Sequence, residues 1–520
     1  MSEHANDFRL ASAGSSSTGE SGATLIAWDI TLTAAQVNAR ARAVAGWIRE
    51  LFPAGPGPVA VYARNSGQAM IASLGAVLSG AALVPLNAHL GPGELADMLA
   101  EAGVGLVFTS PPQLPALLDA LEGMPAGPRV VAWGAEDDGP CESLERIIAL
   151  GLPLREDRVR VCAPMLFSSG TTGRPKRVIM PPLLFPDGAD IPHFLQWCRQ
   201  RRFTAFGPHL VAGPLYHSGP QQAIWILAVG HRVFVPRAFD PAQVLDLIER
   251  EEIATTLMVP THFIRLLKER ESCAHAHDVS SIRQVTQTGA GCPEHVKRAM
   301  IDWWGPVFLE TYGGTETGGL CFITSEEWLL RPDSVGRALP RYRAFAADDG
   351  GGELPAGQVG QLYFEDRTGR GIRYEGAPDL TSRAHLRPGT FTLGEIGKVD
   401  AEGYVYITDR DADKVVSGGV NIYPAEAERI LGTHPAVADA AAFGVPDAEM
   451  GEQLRAVVVL RDGALATAEE LIDYCRTRLS TLKAPRSVLF CDDLGRGPMG
   501  KISRRELKRR FGEVRPAWGR

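Results

Sequence analysis

Short apolar runs alternate with helical patterns of apolar and polar residues through most of the chain. An alternation of strand and helix along the chain predicts parallel sheets that are covered by helices. One further run, 159–170, is predicted to be a strand that leads into a Gly/Ser/Thr loop. The other predicted elements are strands at 59–64, 81–85, 105–110, 231–237 and 254–260, and helices at 67–79 and 241–251.

The pattern changes in the last third of the chain. From Gly350 to Asp400, short alternating segments separated by Gly turns predict a smaller β-rich subdomain. Beyond Arg410, two helical patterns and three apolar strands predict an α+β unit that is long enough to fold by itself. We therefore predict an α/β fold with a flexible head at 1–23, an N-terminal domain at 24–410 and a mobile C-terminal domain at 411–520.

Composition excludes several functional classes. The 520 residues carry a net charge of −8, which disfavours binding to nucleic acid or to an anionic membrane. The eight cysteines include no CxxC pair, which favours reduced thiols in a cytoplasmic protein. Residues 65–93 lack charged side chains, but Gly and Pro interrupt them, so a buried helix and strand explain them better than membrane insertion.

The first chemical motif follows the apolar run at 159–170. Its glycines let backbone N–H groups turn toward an anion, its hydroxyls add donors, and a lysine supplies charge. Pro175 breaks the pattern of a nucleotide P-loop, in which Gly-Lys-Ser/Thr opens a helix. The alternative interpretation is a simple turn between strands. The motif comprises Ser168, Ser169, Gly170, Thr171, Thr172, Gly173, Arg174, Pro175 and Lys176.

Three further segments carry candidate chemistry. In 310–316, a carboxylate in a glycine-rich turn suits Mg²⁺, and a tyrosine there suits stacking on a base. The pair at 409–410 is followed by the Gly-rich segment 417–424, and a single lysine lies in 500–503 near the C-terminus. Each of these segments alone is equally compatible with a surface turn.

In this order, the four segments resemble those of the adenylate-forming superfamily, which contains acyl-CoA synthetases, luciferases and peptide-synthetase adenylation domains. The resemblance extends from Trp28 to Phe511 and includes the segments 214–217, 259–263, 288–291 and 443–452. Within the superfamily, 417–428 is similar to free-standing acyl-CoA ligases.

The resemblance implies an enzyme, an AMP-forming acid–CoA ligase that works in two steps. A carboxylate attacks the α-phosphate of ATP, which gives acyl-AMP and pyrophosphate; the CoA thiol then attacks acyl-AMP and AMP leaves. The implied cofactors are ATP or acyl-AMP, Mg²⁺ and coenzyme A. The implied catalytic residues are Thr171, His217, Glu316 as the Mg²⁺ ligand, and Lys501.

The resemblance also implies the nucleotide and CoA sites. Gly289, Ala290, Gly291 and Tyr312 are expected to flank adenine, together with Gly313 and Thr315, while Glu395 and Arg410 hold ribose. The phosphates are expected at Ser168, Ser169, Gly170, Thr172, Gly173, Lys176 and Arg177, and the pantetheine path at Gly418 and Gly419. The C-terminal domain is expected to swing about Asp411, bringing Lys501 for the first step and Gly418–Gly419 for the second.

Two nucleotide-handling positions depart from the family pattern. Arg177 replaces a glycine after the phosphate loop, and Glu395 replaces an aspartate at the ribose site. Because β- and γ-phosphates exist only in ATP, Arg177 is expected to impair adenylation selectively, whereas Glu395 affects both steps. One hypothesis is therefore an enzyme that only thioesterifies acyl-AMP supplied by a separate adenylating enzyme; then Arg177→Gly gains ATP-dependent turnover. The alternative is a tolerated Arg177 that points to solvent.

Other functional classes stay open at this stage. A luciferase-like oxygenase shares the adenylation step, whereas a non-catalytic acyl-ligand binder is disfavoured because Lys501 and Glu316 remain. A hydrophobic carboxylic acid is the favoured substrate, and a bulky polycyclic acid is as admissible as a fatty or aryl one. The segment with Cys273, His275, His277 and Asp278 is interpreted as a polar surface loop, since no partner cluster lies nearby in sequence.

Overall fold

The computed structural model of the protein describes most of the chain. No helix among the described residues is long and apolar enough to cross a membrane. The predicted head, apart from residues 22 and 23, and the predicted hinge Asp411 lie outside the described residues. The described residues are 22–124, 127–134, 140–156, 159–168, 176–181, 184–201, 206–273, 275–410, 413, 415–417, 420–447, 450–479, 483–497, 500 and 502–512.

Many helices begin at a polar side chain that caps free backbone N–H groups. Ser66 accepts a hydrogen bond from the backbone of Ala69 at 3.0 Å, and Asp240 accepts one from Gln243 at 2.9 Å. The helices are α1 (Ala34–Leu51), α2 (Gly67–Leu78), α3 (Pro92–Ala102), α4 (Leu114–Leu121), α5 (Leu144–Leu150), α6 (Ile191–Arg199), α7 (Gln222–Ala228), α8 (Pro241–Glu251), α9 (Pro260–Ser272), α10 (Glu294–Trp304), α11 (Ser325–Leu330), α12 (Pro378–Arg383), α13 (Pro424–Gly432), α14 (Ala468–Arg476) and α15 (Arg504–Phe511).

The strands are short and rich in β-branched residues, as strand propensity predicts. They are β1 (Ala23–Ala27), β2 (Thr31–Thr33), β3 (Val59–Tyr62), β4 (Leu83–Leu86), β5 (Leu106–Thr109), β6 (Arg129–Ala132), β7 (Glu142–Ser143), β8 (Leu166–Ser168), β9 (Lys176–Val178), β10 (His209–Leu210), β11 (Val233–Val235), β12 (Thr255–Met258), β13 (Gln284–Gln287), β14 (Phe308–Gly314), β15 (Gly318–Thr324), β16 (Ser334–Ala338), β17 (Tyr342–Ala347), β18 (Gly360–Asp366), β19 (His385–Arg387), β20 (Thr390–Phe391), β21 (Glu395–Val399), β22 (Tyr404–Arg410), β23 (Val415–Ser417), β24 (Val420–Ile422), β25 (Val437–Asp447), β26 (Gly451–Leu460) and β27 (Ser487–Phe490).

The sheets confirm the predicted α/β class. One sheet has the order β4-β3-β5-β6-β7 and is parallel throughout. A second sheet of fifteen strands is parallel along β14-β13-β12-β10-β11-β1 and becomes antiparallel from β15 onward, where the predicted β-rich subdomain lies. The C-terminal domain has its own sheet, β24-β23-β26-β25, with β27 parallel to β26.

Each region has its own apolar core. All four residues of β3 are buried, as expected for a strand covered by helices on both faces. A second core lies where α8, α9 and α10 cover the parallel half of the large sheet. The C-terminal domain packs α13 and α14 against β25 and β26 around residues such as Leu431 and Val458.

The run at 159–170 differs from its prediction. Among its described residues, 159–168, only Leu166–Ser168 forms a strand, and it pairs antiparallel with β9 in a separate two-stranded sheet. Upstream, the backbone N–H of Val161 donates to Ala189 and that of Met165 donates to Leu83, both at 2.8 Å. The earlier part of the run therefore satisfies its backbone groups against other segments and does not join a parallel sheet.

Candidate active site

The carboxyl ends of β13 and β14 form one edge of the candidate site, the position at which open α/β sheets bind ligands. The segment 288–291 follows β13 directly, and the backbone N–H of Thr288 donates to Met258 at 3.2 Å. Gly289 has φ +90°, in the left-handed region that favours glycine. The predicted adenine-flanking segment therefore turns sharply at the strand end.

Tyr312 and Glu395, 83 residues apart, meet at this edge. The Tyr312 hydroxyl donates a hydrogen bond to Glu395 Oε2 at 2.7 Å. Glu395 is 5% exposed, and the Tyr312 ring lies 5.9 Å from that of Phe364, centroid to centroid. Glu395 is one methylene longer than the family's aspartate. Its carboxylate contacts Tyr312, the tyrosine that we predict to stack on adenine.

Polar contacts also hold the turn before Glu395. Thr392 Oγ1 accepts hydrogen bonds from Gln361 Nε2 and from the backbone N–H of Gly394, both at 2.9 Å. In the strand pairing, Glu395 lies opposite Arg410. The two residues predicted to hold ribose are therefore neighbours across β21 and β22, although the Arg410 side chain lies outside the described structure.

Glu316, the predicted Mg²⁺ ligand, is half-buried in the turn between β14 and β15. Tyr374 donates its hydroxyl to Glu316 Oε1 at 3.0 Å. Burial, and then the charge of Glu316 together with this hydrogen bond, raises the pKa of Tyr374, so the hydroxyl stays protonated and donating. A Cβ on Gly314 would lie 2.7 Å from Glu316 Oε2, so the glycine leaves room beside the second carboxylate oxygen.

Arg177 forms an ion pair with Glu375, the neighbour of Tyr374. Arg177 Nε lies 2.6 Å from Glu375 Oε2, and the two side chains are 34% and 44% exposed. The backbone N–H of Glu375 also donates to the carbonyl of Arg177 at 3.0 Å, and Val178 pairs with Tyr374 in an isolated bridge. Strand β9, which follows the predicted phosphate loop, is thereby joined to the segment that contacts Glu316.

His217 lies in a loop fixed by Asn65. Asn65 Oδ1 accepts from the backbone of Leu215 at 2.8 Å, and its amide nitrogen donates to the carbonyl of Gly213 at 3.0 Å. The rings of Tyr216 and His217 lie 4.7 Å apart. The described residues offer no hydrogen-bond partner to the buried Tyr216 hydroxyl or to Gln221 Nε2, and both residues line a cavity of about 10 Å³, which has room for one water.

The C-terminal domain contacts the N-terminal domain beside this site. Gly500 lies against the start of α9, where a Cβ on it would be 2.8 Å from Thr261 Cγ2. Further along α9, Lys268 Nζ lies 2.9 Å from Asp462 Oδ2 of the C-terminal domain. The residue that precedes Lys501 is therefore in contact with the predicted 259–263 segment.

Some predicted site residues lie partly or wholly outside the described structure. Only the backbones of Ser168 and Lys176 are described, in β8 and β9. Residues outside the described structure are Ser169, Gly170, Thr171, Thr172, Gly173, Asp411, Gly418, Gly419 and Lys501. Among the others, the structure places Gly289, Ala290 and Gly291 after β13, Tyr312 and Gly313 on β14, and Thr315 in the following turn beside Glu316.

Sequence analysis missed three side chains of this region. Tyr374 and Glu375 lie in an Arg-Tyr-Glu-Gly segment that has no chemical signature of its own. Asn65 lies at the start of an apolar stretch. Its one signal in the sequence is that an amide side chain is unusual in a protein core. Their contacts connect positions 58 to 198 residues apart, which no local pattern reveals.

Comparison with known families agrees with the motifs. The AMP-binding enzyme family matches residues 16–368, and the AMP-binding enzyme C-terminal domain matches residues 426–501. A feruloyl-CoA synthase from Amycolatopsis sp is 32% identical over 503 residues, covering 92% of this chain and 94% of that protein. A sulfoacetate–CoA ligase from Cupriavidus necator is 31% identical over 458 residues, covering 86% of each chain.

Solved structures show the same architecture. The amide bond synthetase McbA from Marinactinospora thermotolerans superposes with a TM-score of 0.79 at 26% identity, covering 95% of this chain and 97% of that one. ATP-bound MatB from Rhodopseudomonas palustris also gives a TM-score of 0.79 at 26% identity, covering 94% of this chain and 96% of that one. The predicted resemblance and fold class are confirmed.

Proposed function

Because the chain belongs to the AMP-binding enzyme family, we propose that it is an acid–CoA ligase that carries out both adenylation and thioester formation. The observation that carries this proposal is the meeting of Tyr312 with Glu395 at the strand ends, beside Gly289. This arrangement offers an aromatic face for adenine and a buried carboxylate for the ribose hydroxyls. Adenylate-forming enzymes of this family use ATP and Mg²⁺, and its acid–CoA ligases also use CoA.

The first step brings two anions together, the substrate carboxylate and the α-phosphate of ATP. We assign charge neutralisation to the loop 168–176 and to Lys501, and the positioning of ribose to Glu395 and Arg410. The contact of Gly500 with Thr261 supports a role for Lys501 at this edge, since it brings the adjacent residue to the site.

The surroundings of Glu316 fit a bound Mg²⁺. The donor is a carboxylate, the oxygen type that Mg²⁺ prefers, and one of its oxygens faces the space left by Gly314. The other oxygen accepts from Tyr374, which holds the side chain in one orientation. When bound there, Mg²⁺ supplies neutralisation of the phosphate charge.

In the second step, the CoA thiol attacks the acyl-AMP carbonyl and AMP leaves. We assign His217 to the mouth between the acyl and thiol sites and Gly418–Gly419 to the pantetheine path, which requires the C-terminal domain to rotate about Asp411. Among the described residues, the contacts between the domains include exposed ion pairs, Lys268 with Asp462 and Arg429 with Asp333, which water can replace when such a movement opens them.

The ion pair between Arg177 and Glu375 favours the complete two-step reaction over thioesterification alone. The thioesterification-only hypothesis requires the Arg177 guanidinium to obstruct the β- and γ-phosphates. With Glu375 Oε2 2.6 Å from its Nε, the guanidinium has a carboxylate partner and its charge is compensated. Adenylation then proceeds with Arg177 in place.

A hydrophobic carboxylic acid is the proposed substrate. The loop of His217 leads into α7, whose residues Ala223, Ile224, Trp225, Ile226 and Leu227 are buried. The two relatives named above are ligases of an aryl acid and of a small polar acid, so the panel of acids in the test below includes both kinds beside hydrophobic ones.

A paired assay read by mass spectrometry tests the proposal. One arm contains this panel of acids with ATP, Mg²⁺ and CoA, and the other contains the matching acyl-adenylates with CoA alone. We expect acyl-CoA in both arms for the same acid. Product in the second arm alone supports thioesterification without adenylation, and acyl-AMP in the first arm with no thioester in either excludes a CoA ligase.

A further inference from the structure

Two histidines and two carboxylates meet on the surface formed by α8 and the segment that follows α9. His275 Nε2 lies 2.8 Å from Glu249 Oε2, and His277 Nε2 lies 3.0 Å from Asp246 Oδ1. The two imidazole rings lie 4.6 Å apart, at nearly right angles. We refer to Asp246, Glu249, His275 and His277 as the His–carboxylate cluster.

The fold explains why these side chains converge. Asp246 and Glu249 are three residues apart on α8, so they share one face of the helix. The backbone N–H of Asp278 donates to Glu249 Oε1 at 3.3 Å, and Ser281 Oγ donates to the carbonyl of Ile253 at 2.9 Å. These bonds hold the histidine segment on α8. The segment is a polar loop, as predicted, and its carboxylate partners lie 26 and 31 residues earlier in the chain, on α8.

The cluster has the composition and spacing of a metal site. One ligand atom each from Glu249, His275 and His277 lies within 4.8 Å of the others. In a tetrahedral site with metal–ligand bonds of about 2.0–2.1 Å, the ligand atoms are about 3.4 Å from one another. Small side-chain rotations would bring the three ligand atoms of the cluster to that separation. Imidazole nitrogen together with carboxylate oxygen is a donor set that suits Zn²⁺ and other divalent first-row transition metals better than Mg²⁺ or Ca²⁺.

Exposure also suits a metal ion. The side chain of His277 is 7% exposed, so its position is fixed by packing, whereas that of His275 is 61% exposed and leaves an entry path from solvent. The Glu249 carboxylate lies 2.8 Å from His275 Nε2 and accepts from the backbone N–H of Asp278 at 3.3 Å, so it is held beside the histidine segment.

We propose that the His–carboxylate cluster binds one divalent ion of the Zn²⁺ type through His275, His277 and Glu249, with Asp246 as a further ligand or as the hydrogen-bond partner of His277. None of these four residues belongs to the predicted nucleotide or Mg²⁺ sites. Its role is to pin the end of α9 on α8. The alternative is a pair of His–carboxylate hydrogen bonds with no metal affinity.

Zinc titration of the tag-free, chelator-treated protein without nucleotide tests the proposal, and Co²⁺ serves as a spectroscopic probe because eight thiols could also bind metal. We expect one site whose Co²⁺ spectrum lacks thiolate charge-transfer bands. The His275→Ala and His277→Ala variants are expected to weaken Zn²⁺ binding at least about tenfold each. Zn²⁺ is expected to raise the Tm of the wild type but not that of the double variant.

Glu249→Gln provides a second variant, since it keeps the size of the side chain and removes only its charge. His193→Ala is the matched control, because His193 is an exposed histidine that contacts a single carboxylate, Asp190, at 2.7 Å. Equal Zn²⁺ affinity in the wild type and the double variant, or thiolate bands in the Co²⁺ spectrum, would overturn the proposal. These experiments measure metal binding and Tm and do not measure acid–CoA ligase activity. Their outcome therefore does not depend on whether the proposed function is correct.

Discussion

Arg177 and Glu375 are joined twice, by an ion pair of 2.6 Å between Nε and Oε2 and by a 3.0 Å hydrogen bond from the Glu375 N–H to the Arg177 carbonyl. The pair connects β9, which follows the predicted phosphate loop, with the residue next to Tyr374. Because the adjacent Tyr374 contacts Glu316, two sets of contacts and one peptide bond connect β9 with the predicted Mg²⁺ ligand.

Arg177→Gly separates the two interpretations of this residue. The thioesterification-only hypothesis predicts a gain in ATP-dependent turnover, because an obstructing cation is removed. The ion pair predicts a change of less than about fivefold, since a partly exposed pair contributes about 1 kcal/mol or less. Steady-state rates with ATP, acid and CoA measure the change.

Glu375→Gln is the complementary variant. It keeps the side-chain size but leaves the Arg177 charge without its carboxylate partner, so we expect ATP-dependent turnover to fall while thioester formation from acyl-AMP is unchanged. A large gain in Arg177→Gly together with no effect in Glu375→Gln would show that the ion pair does not restrain the guanidinium.

Tyr374→Phe is expected to impair adenylation selectively. The change removes a hydrogen bond to the Glu316 carboxylate without removing the ring, and hydrogen bonds to charged groups contribute about 1.5–3 kcal/mol. We expect pyrophosphate exchange to fall about tenfold or more at limiting Mg²⁺ and to recover partly at high Mg²⁺. A uniform loss at all Mg²⁺ concentrations would indicate a packing defect and not a role in orienting Glu316.

Glu395→Asp is expected to strengthen nucleotide binding equally in both steps. Crowding of a fitted polar site by one methylene costs about 1–3 kcal/mol, so we expect KM for ATP and KM for acyl-AMP to fall by the same factor, about fivefold or more. Glu365→Asp, an exposed carboxylate paired with Arg343, is the control and should change neither. A rise in both KM values would show that the contact with Tyr312 matters more than the fit to ribose.

The contacts of Asp366 are expected to make the free energy of unfolding fall at acid pH. Burial raises the pKa of Asp366, but Arg341, which donates to both carboxylate oxygens at 2.9 and 2.7 Å, and Thr368 outweigh this and lower it from 3.8 to about 2. A lowered folded-state pKa means that the contribution is fully present above pH 4 and is lost as the pH falls from about 4 to about 2. It amounts to about 2 kcal/mol.

Asp366→Asn should therefore lower the free energy of unfolding by about 2 kcal/mol at pH 6 and flatten its decline below pH 4. Urea unfolding at pH 6, 4 and 3 measures both effects. Glu353→Gln, an exposed partner of Arg343, serves as the control and should stay within about 0.5 kcal/mol of the wild type. An unchanged decline below pH 4 in Asp366→Asn would assign the acid sensitivity to other carboxylates.

Local patterns predicted much of the fold because their physical causes are local. The runs at 59–64, 105–110 and 254–260 are apolar and β-branched, and each contains an observed strand of a parallel sheet. The run at 159–170 is equally apolar, but its backbone bonds to Leu83 and Ala189, which are distant in sequence, so the pattern alone predicts the wrong element there.

The sequence by itself determined the family, the order of its motifs and the chemical type of each candidate residue, because these depend on residue identity and spacing. Only the tertiary structure decided that Tyr312 donates to Glu395, that Tyr374 contacts Glu316, and that His275 meets Glu249. Each of these contacts joins residues 26 to 83 positions apart. Side-chain partners at such separations depend on how whole helices and strands pack, which no local run of residues encodes.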